Sequence, residues 1–238
     1  MVTLNTCTYL IGSSISEIHI KTFDELDEIG EKMGNSFLLW QIFMSRLSLH
    51  FWMREYTDVA ELSETYSKKH PSSPRNRVLN LYRTFFEGIA YFSLARDTKQ
   101  ANWKVLGKKA MAYLCRLESQ TQTNFENKSQ LLHAELCYLE GNLELADFFY
   151  NNSIQSAHEL ELVHEEALAC ERYGVFCVEN QNQMIDKGLK QLRLALAKYK
   201  QWGAMKKVDE LQLFIDLVDQ AYFVRKARGE HIFPAPRK

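Results

Sequence analysis

The chain has 238 residues, of which 46% are hydrophobic and 25% charged, and its formal net charge is −1. This length suffices for a sizeable core or for a stack of small repeats, and the balanced charge argues against a nucleic acid or an anionic membrane as partner. Four prolines and ten glycines are few enough to favour long helices. The five cysteines are odd in number and include no C-x-x-C pair, which is typical of reduced thiols in a cytoplasmic protein and gives no indication of a zinc site.

The first predicted helix lies in "TFDELDEIGEKMG", because Thr22 and Glu25 have the spacing of a capping box. Residues 1–16 are compatible with the second helix of a repeat whose first half is missing, so residues 1–21 are interpreted as a candidate partial repeat. No apolar run reaches the ~18 residues that span a bilayer. We therefore expect no membrane segment, and the cytoplasm is the predicted compartment.

Four helical hairpins are predicted next, each with apolar residues at helical spacing. Polar breaks at Arg54 and Glu55 and at residues 96–100 separate the helices of the first two hairpins, and "HPSSPRN" separates those hairpins from each other. The paired segments are 36–53 with 56–69, 77–95 with 102–119, 131–140 with 143–157, and 164–180 with 185–202, and a last helix over 204–223 caps the stack.

The third hairpin, "LLHAELCYLEGNLELADFFYNNSIQSA", shows the pattern most clearly. Leu131, Ala134 and Tyr138 share one helical face, and Gly141 supplies the left-handed conformation that commonly ends a helix. The short loop forces the two helices to run antiparallel, which places Ala146 at the contact between them.

A spacing of about 40 residues between hairpins is typical of an α-solenoid. Ala134, Gly141, Ala146 and Tyr150 resemble the small, turn, small and aromatic positions of the tetratricopeptide repeat. The sequence therefore predicts an all-α fold, an α-solenoid of about four irregular tetratricopeptide-like hairpins plus a terminal helix. The predicted solenoid forms a single domain over residues 1–228, and residues 229–238 are a flexible tail.

In the fourth hairpin the small residues that let helices approach closely are Ala167, Cys170, Gly174 and Cys177.

A further set of residues lies within 120–212, namely Asn124, Lys128, Leu131, Leu132, Ala134, Glu135, Gly141, Ala146, Tyr150, Ile154, Ala157, residues 165–169, Tyr199, Trp202, Gly203 and Ala204. In these residues the segment is similar to the tetratricopeptide-like region of large multidomain signalling proteins, which join a serine/threonine kinase-like domain, a predicted ATPase and often a sensor histidine kinase. The loop "NQNQMID" of the fourth hairpin is longer than that family usually shows.

Catalytic motifs of that family are absent from the chain. There is no G-x-x-x-x-G-K-[ST] loop, since "LGKKA" at residues 106–110 has only the Gly-Lys pair and reads as ordinary helix. Kinase signatures are also missing. We expect the chain neither to bind nor to hydrolyse ATP, and the resemblance implies that kinase and ATPase activity belong to other domains.

The sequence predicts a non-catalytic interaction or regulatory scaffold that needs no cofactor and no metal. Its partner is expected to be a protein, a peptide or the neighbouring ATPase and kinase domains, with self-association also allowed, because the inner helices of a solenoid present a concave face. The alternative is an enzyme with an unrecognised active site in that groove. The acids are expected to be spread along exposed faces, which favours the scaffold.

The predicted partner-binding groove is lined by Lys128, Glu135, Tyr138 and Leu139 of the third hairpin. Tyr138 is the expected anchor, because aromatic residues contribute disproportionately to interfaces. The alternative is that Tyr138 packs against the neighbouring repeat. On the first interpretation, Tyr138→Ala combined with Glu135→Lys weakens partner binding and leaves the fold intact.

Three other groups of residues are interpreted as structural. His164, Glu165 and Glu166 do not complete H-E-x-x-H and are predicted to be a solvated helix N-terminus. Tyr199 and Trp202 are predicted to pack against the following helix. The spot formed by Lys104, Lys108 and Lys109 is predicted to be solvated surface.

Overall fold

A computed structural model describes residues 22–71, 77–121, 125–180 and 184–227 of the chain. These residues form ten α-helices and no strand, and 90% of them are helical, which confirms the all-α prediction. The helices are α1 (Phe23–Lys32), α2 (Ser36–Trp52), α3 (Tyr56–Lys69), α4 (Arg77–Thr98), α5 (Ala101–Thr121), α6 (Glu126–Glu140), α7 (Leu143–Glu159), α8 (Val163–Asn180), α9 (Ile185–Trp202) and α10 (Met205–Ala227).

Helix ends follow the local signals of the sequence. The capping box of Thr22 and Glu25 is formed at the start of α1. Gly141 and Gly203 end α6 and α9 with φ angles of 76° and 85°, the left-handed region in which a side chain is strained. The predicted break between α2 and α3 is confirmed at Arg54, which adopts a φ of 59° although it is not a glycine.

Each helix packs on the next along the chain, and the most extensive contacts join α4 to α5, α6 to α7 and α8 to α9. The even-numbered helices also contact one another in sequence, α2 with α4, α4 with α6 and α6 with α8. The helices α2, α4, α6 and α8 thus form a continuous row of neighbours.

The end of α2 and the turn after it reach the C-terminal helices. Trp52 lies with its ring 5.0 Å from that of Trp202 and 6.1 Å from that of Tyr199. Arg54 forms an ion pair with Glu171 of α8. The first hairpin is therefore anchored on helices that follow it by more than a hundred residues, a contact that the repeat pattern does not predict.

Helix α8 is buried over most of its length, and Ala167, Cys170, Gly174 and Cys177 are all buried on it, as predicted. A Cβ atom on Gly174 would lie 2.6 Å from Leu192 Cγ and 3.0 Å from the carbonyl oxygen of Gly188. The backbones of α8 and α9 approach closely because no side chain separates them at this point.

Ala146 is fully buried, and the two helices of its hairpin, α6 and α7, pack extensively. We expect Ala146→Leu to overpack the contact and to lower the free energy of unfolding by about 1–3 kcal/mol. Urea denaturation measures the loss. Ala112→Leu, at an exposed position of α5, is the matched control and should change stability little. Equal stability of the two variants would mean that Ala146 does not lie at the contact between α6 and α7.

Two earlier predictions lie outside the described residues, namely the partial repeat at 1–21 and the tail at 229–238. Within the described part, no helix is both long and apolar enough to cross a membrane.

Candidate functional site

An apolar cleft of about 680 Å³ opens between α2, α4, α8 and the end of α9. Its volume lies in the range of about 300–1,000 Å³ that is usual for binding sites. The described residues that line it are Leu26, Phe37, Leu38, Trp40, Gln41, Met44, Ser45, Ser48, Trp52, Tyr82, Phe85, Phe86, His164, Glu165, Leu168 and Trp202.

One face of α2 forms the longest wall of the cleft. Phe37, Gln41, Met44, Ser48 and Trp52 recur at spacings of three or four residues, so they share that face. From Phe37 to Trp52 the wall is about 22 Å long at 1.5 Å per residue. Leu39, Ile42, Phe43, Leu47 and Phe51, which lie on other sides of α2, are buried. The helix is thus packed through its apolar residues on one side and open to the cleft on another.

Aromatic rings close the end of the cleft at Trp52. The ring of His164 is stacked on that of Trp202 at 5.4 Å and lies edge-on to Trp52 at 6.4 Å. Burial lowers the pKa of His164, and the nearby Glu165 opposes this shift. Trp202 is 36% exposed and stands at the open side.

Glu165 is the one acid among the described residues that line the cleft, and it follows His164 in α8. Its carboxylate accepts hydrogen bonds from Tyr82 Oη at 3.1 Å, from Lys128 Nζ at 2.5 Å and from the Asn127 side chain. Lys128 also lies 5.0 Å from the centre of the Tyr82 ring. Burial lowers the pKa of Lys128 and the ion pair with Glu165 opposes that shift. These contacts fix α4, α6 and α8 relative to one another.

Glu135 is the centre of a second buried ion network. Arg172 donates to its two carboxylate oxygens at 2.8 and 2.6 Å, and Arg96 lies 2.8 Å away. Tyr150 Oη donates a hydrogen bond of 2.8 Å to the same carboxylate. Burial alone would raise the pKa of Glu135, but the two guanidinium groups outweigh it and hold the pKa at about 2.

Glu171 is the centre of a third network. It pairs with Arg54 and, at 2.9 Å, with Lys207 of α10, and it accepts a hydrogen bond of 2.5 Å from Tyr199. Burial would raise the pKa of Glu171, yet the two cations bring it to about 2. Neighbouring residues of α8, Glu171 and Arg172, thus tie this helix to the turn after α2, to Tyr56 at the start of α3, and to α9 and α10.

The prediction that four residues line an exposed groove is wrong for two of them. Lys128 is 2% exposed and Glu135 is fully buried, because both lie on faces of α6 that pack against α4 and α8. Tyr138 and Leu139 are half-buried. Tyr138 donates to Glu179, and Arg96 lies 4.3 Å above its ring, which confirms the alternative that it packs against its neighbours.

Glu165 and Glu166 were predicted to be solvated at a helix start, and this is wrong, because they are 4% and 5% exposed. Lys198 of α9 pairs with Glu166 at 2.7 Å. Tyr199 is fully buried, and Lys207 of the following helix lies 5.8 Å from its ring, in agreement with the prediction. Trp202 is 36% exposed and its ring lies against Trp52 and His164, which the prediction did not include.

The segment "LGKKA" lies inside α5, as predicted. Lys104 and Lys108 are partly exposed and lie 2.9 and 3.0 Å from Glu140. Both lysines are therefore surface residues that share an acid of the next hairpin.

The buried networks leave one signal in the sequence. Charged residues interrupt an otherwise apolar run in "EEALACERYGVFCV", where Glu171 and Arg172 fall between Cys170 and Tyr173. Charges at positions that must be buried require partners of opposite sign. This pattern indicates buried ion pairs, although it does not identify their partners.

Metal-ligating side chains come together at one place in the described residues. Ligand atoms of His50, Glu55 and Asp58 lie within 4.8 Å of one another, and both acids are exposed. Glu55 and Asp58 occupy the start of α3, where acids are favoured by the helix dipole. This helix-start preference explains the acids without a metal.

Comparison with known proteins gives no match. No family model matches the chain, and no curated protein or solved structure is detectably similar to it. The resemblance to multidomain signalling proteins stays a prediction, and the cleft is the candidate functional site.

Proposed function

We propose that this protein is a non-catalytic protein-interaction scaffold, a tetratricopeptide-like α-solenoid of the cytoplasm that binds an apolar protein segment in the cleft. The observation that carries the proposal is the open face of α2. An apolar helix is normally covered on every side, and here one side, about 22 Å long, faces a cleft lined by aromatic rings.

Exposed apolar side chains at the cleft support this assignment. Phe37 is 56% exposed at one end and Trp202 is 36% exposed at the other. Aromatic residues are enriched at protein interfaces, and contiguous apolar patches on a surface mark interaction sites. The partner is either a separate protein or a neighbouring ATPase or kinase domain of the kind that the resemblance implies.

The state of the buried acids argues against the alternative of an enzyme. A general base or nucleophile needs a carboxylate that is free to react. Glu135, Glu165 and Glu171 each pair with at least one buried lysine or arginine. Their charges are used to hold helices together.

We expect Ser45→Trp to weaken partner binding, because Ser45 of α2 lines the cleft and an indole there fills it. A partner identified by co-purification is purified and its affinity for the wild type and the variant is measured by calorimetry. A loss of about tenfold or more, 1.4 kcal/mol, is expected.

Ser119→Trp is the matched control, since Ser119 is exposed on α5 and lies outside the cleft. Both variants should melt close to the wild type. Unchanged affinity of folded Ser45→Trp would exclude the cleft as the partner site.

A further inference from the structure

We propose that an apolar segment of this same chain, residues 1–16, occupies the cleft until a partner displaces it. This inference rests on the proposed function, because it concerns the competition for the site at which the partner binds. It assigns the regulation of the cleft to the chain itself.

The described structure begins beside the cleft. Phe23 is the first residue of α1, and the guanidinium group of Arg46 lies 5.4 Å from the centre of its ring. Arg46 follows Ser45, which lines the cleft near the middle of α2, and Leu26 of α1 lines the cleft as well. The chain therefore enters α1 at the rim of the cleft, close to the middle of its longest wall.

Composition sets residues 1–16 apart from the rest of the chain. Charged residues make up 25% of the protein, yet this segment contains no Asp, Glu, Lys or Arg, and no other uncharged run is as long. The next longest run, residues 33–45, supplies most of the part of α2 that lines the cleft. Segments that stay in water usually carry charges, whereas an uncharged apolar segment lowers its free energy by burial. The hydrophobic residues of the segment are Met1, Val2, Leu4, Cys7, Tyr9, Leu10, Ile11 and Ile15.

The lining of the cleft suits an uncharged occupant. Glu165 is the one acid among the described residues that line it, no lysine or arginine is among them, and Lys128 of α6 already pairs with this acid. A charged occupant would lose its hydration without gaining an unpaired partner of opposite sign. An uncharged apolar segment avoids this cost and gains from the contact between apolar surfaces.

The segment is close enough and long enough to fill the cleft. Residues 17–21 join it to Thr22, and a link of this length spans up to about 17 Å when it is extended. The α2 wall, about 22 Å long, is covered by about seven extended residues or about fifteen helical ones. Residues 1–16 satisfy either case.

A short link also makes the segment a strong competitor. Linking two binding groups closely gives an effective concentration of about 1 mM. A segment that would bind from solution with a Kd of about 0.1 mM would then fill the cleft about ten times as often as not. A partner would bind with an apparent affinity about tenfold below its intrinsic affinity.

Leu10→Asp combined with Ile11→Asp in the full chain tests this competition, because two carboxylates in the segment oppose its burial. The variant should bind the neutral apolar dye Nile red about tenfold more tightly than the wild type. Adding Ser45→Trp to the variant should remove the gain, since the indole fills the cleft. Ile232→Asp combined with Phe233→Asp makes the same change near the other end of the chain and is the matched control, which should bind the dye as the wild type does.

Disulfide trapping locates the segment directly, because Cys7 is its single cysteine. Gln41→Cys, Ser45→Cys and Ser48→Cys, made one at a time, place thiols along the cleft, and diamide oxidises them. At least one variant should form an intramolecular disulfide with Cys7, which requires Cα atoms within about 7 Å of each other. Ser119→Cys, exposed on α5 and outside the cleft, should form none.

The affinity of the purified partner completes the test. Leu10→Asp combined with Ile11→Asp should raise it about tenfold by calorimetry, because the partner no longer competes with the segment. An unchanged affinity would overturn the proposed competition, even if Cys7 is trapped in the cleft.

The remaining outcomes separate this inference from the proposed function. If the dye affinity does not rise, or if Cys7 is trapped at none of the three positions, the segment does not occupy the cleft. The inference is then wrong, and weaker partner binding by Ser45→Trp still supports the proposed function. Disulfides that form only between two molecules identify a second copy as the source of the segment and also overturn the inference. If Ser45→Trp leaves partner binding unchanged, the proposed function fails, and the regulatory role of the segment fails with it.

Discussion

Glu135→Gln is expected to lower the free energy of unfolding by about 3–5 kcal/mol. The change keeps the size of the side chain and removes its charge. Arg172 and Arg96 then remain in the interior, where they are 6% and 14% exposed, without the carboxylate that compensates them. A buried charge that loses its partner is costly, since the low-dielectric interior replaces little of its lost hydration.

Urea denaturation at pH 7 measures this loss. Glu144→Gln is the matched control, because Glu144 is exposed on α7 of the same hairpin, and it should change stability by no more than about 0.5 kcal/mol. If Glu135→Gln were as stable as Glu144→Gln, the network around Arg172 would not be holding the helices together.

The same argument reverses an expectation from the sequence. Glu135→Lys was expected to leave the fold intact, on the premise that Glu135 is exposed. In the structure this variant places a third cation beside Arg96 and Arg172 in a fully buried position. We expect it to prevent folding, so the double variant with Tyr138→Ala does not report on partner binding.

Local features of the fold were predictable because local physics determines them. The capping box at Thr22, the left-handed Gly141 and the buried Ala146 each depend on a few neighbouring residues, and each was read from spacing alone. The small residues of α8 were found in the same way, since close helix packing requires them wherever the partner helix lies.

The site was not predictable because it depends on how distant helices are placed. The cleft needs the open face of α2 and the start of α8, which are more than a hundred residues apart, and the hairpin pattern does not specify their distance. The usual preference of charged residues for the surface also misled the interpretation of Glu135 and Lys128. The apolar run around Glu135 indicated burial of that residue, whereas Lys128 lies between Asn127 and Ser129 and has no such signal. Identifying Arg172 and Glu165 as their partners requires the tertiary structure.

The buried networks and the cleft share helix α8. Glu165 lines the cleft and pairs with α6, whereas Glu171 and Arg172, about two turns further along, hold the turn after α2 and the start of α10. The Arg54–Glu171 ion pair therefore joins the end of one wall of the cleft, α2, to another, α8. Weakening this pair is expected to affect binding as well as stability.

Acid is expected to unfold the protein as the pH falls from about 4.5 towards 2. Glu135 and Glu171 have a pKa of about 2 in the folded protein, below their ordinary value of 4.5. A carboxyl whose pKa is lowered by folding stabilises the protein fully above its unfolded pKa and loses that contribution as the pH falls to the folded pKa. Each shift corresponds to about 3 kcal/mol, and two of them are comparable to the total stability of a typical domain.

Urea denaturation at pH 7, 5, 4 and 3 measures the effect as the slope of the unfolding free energy against pH. The wild type should show a steep fall below about pH 4.5, because the unfolded chain binds protons that the folded chain excludes. Glu135→Gln should show a shallower fall, since one of the two carboxyls is gone, whereas Glu144→Gln should follow the wild type. A stability that stays constant from pH 5 to pH 3 would mean that Glu135 and Glu171 do not form these ion pairs in solution.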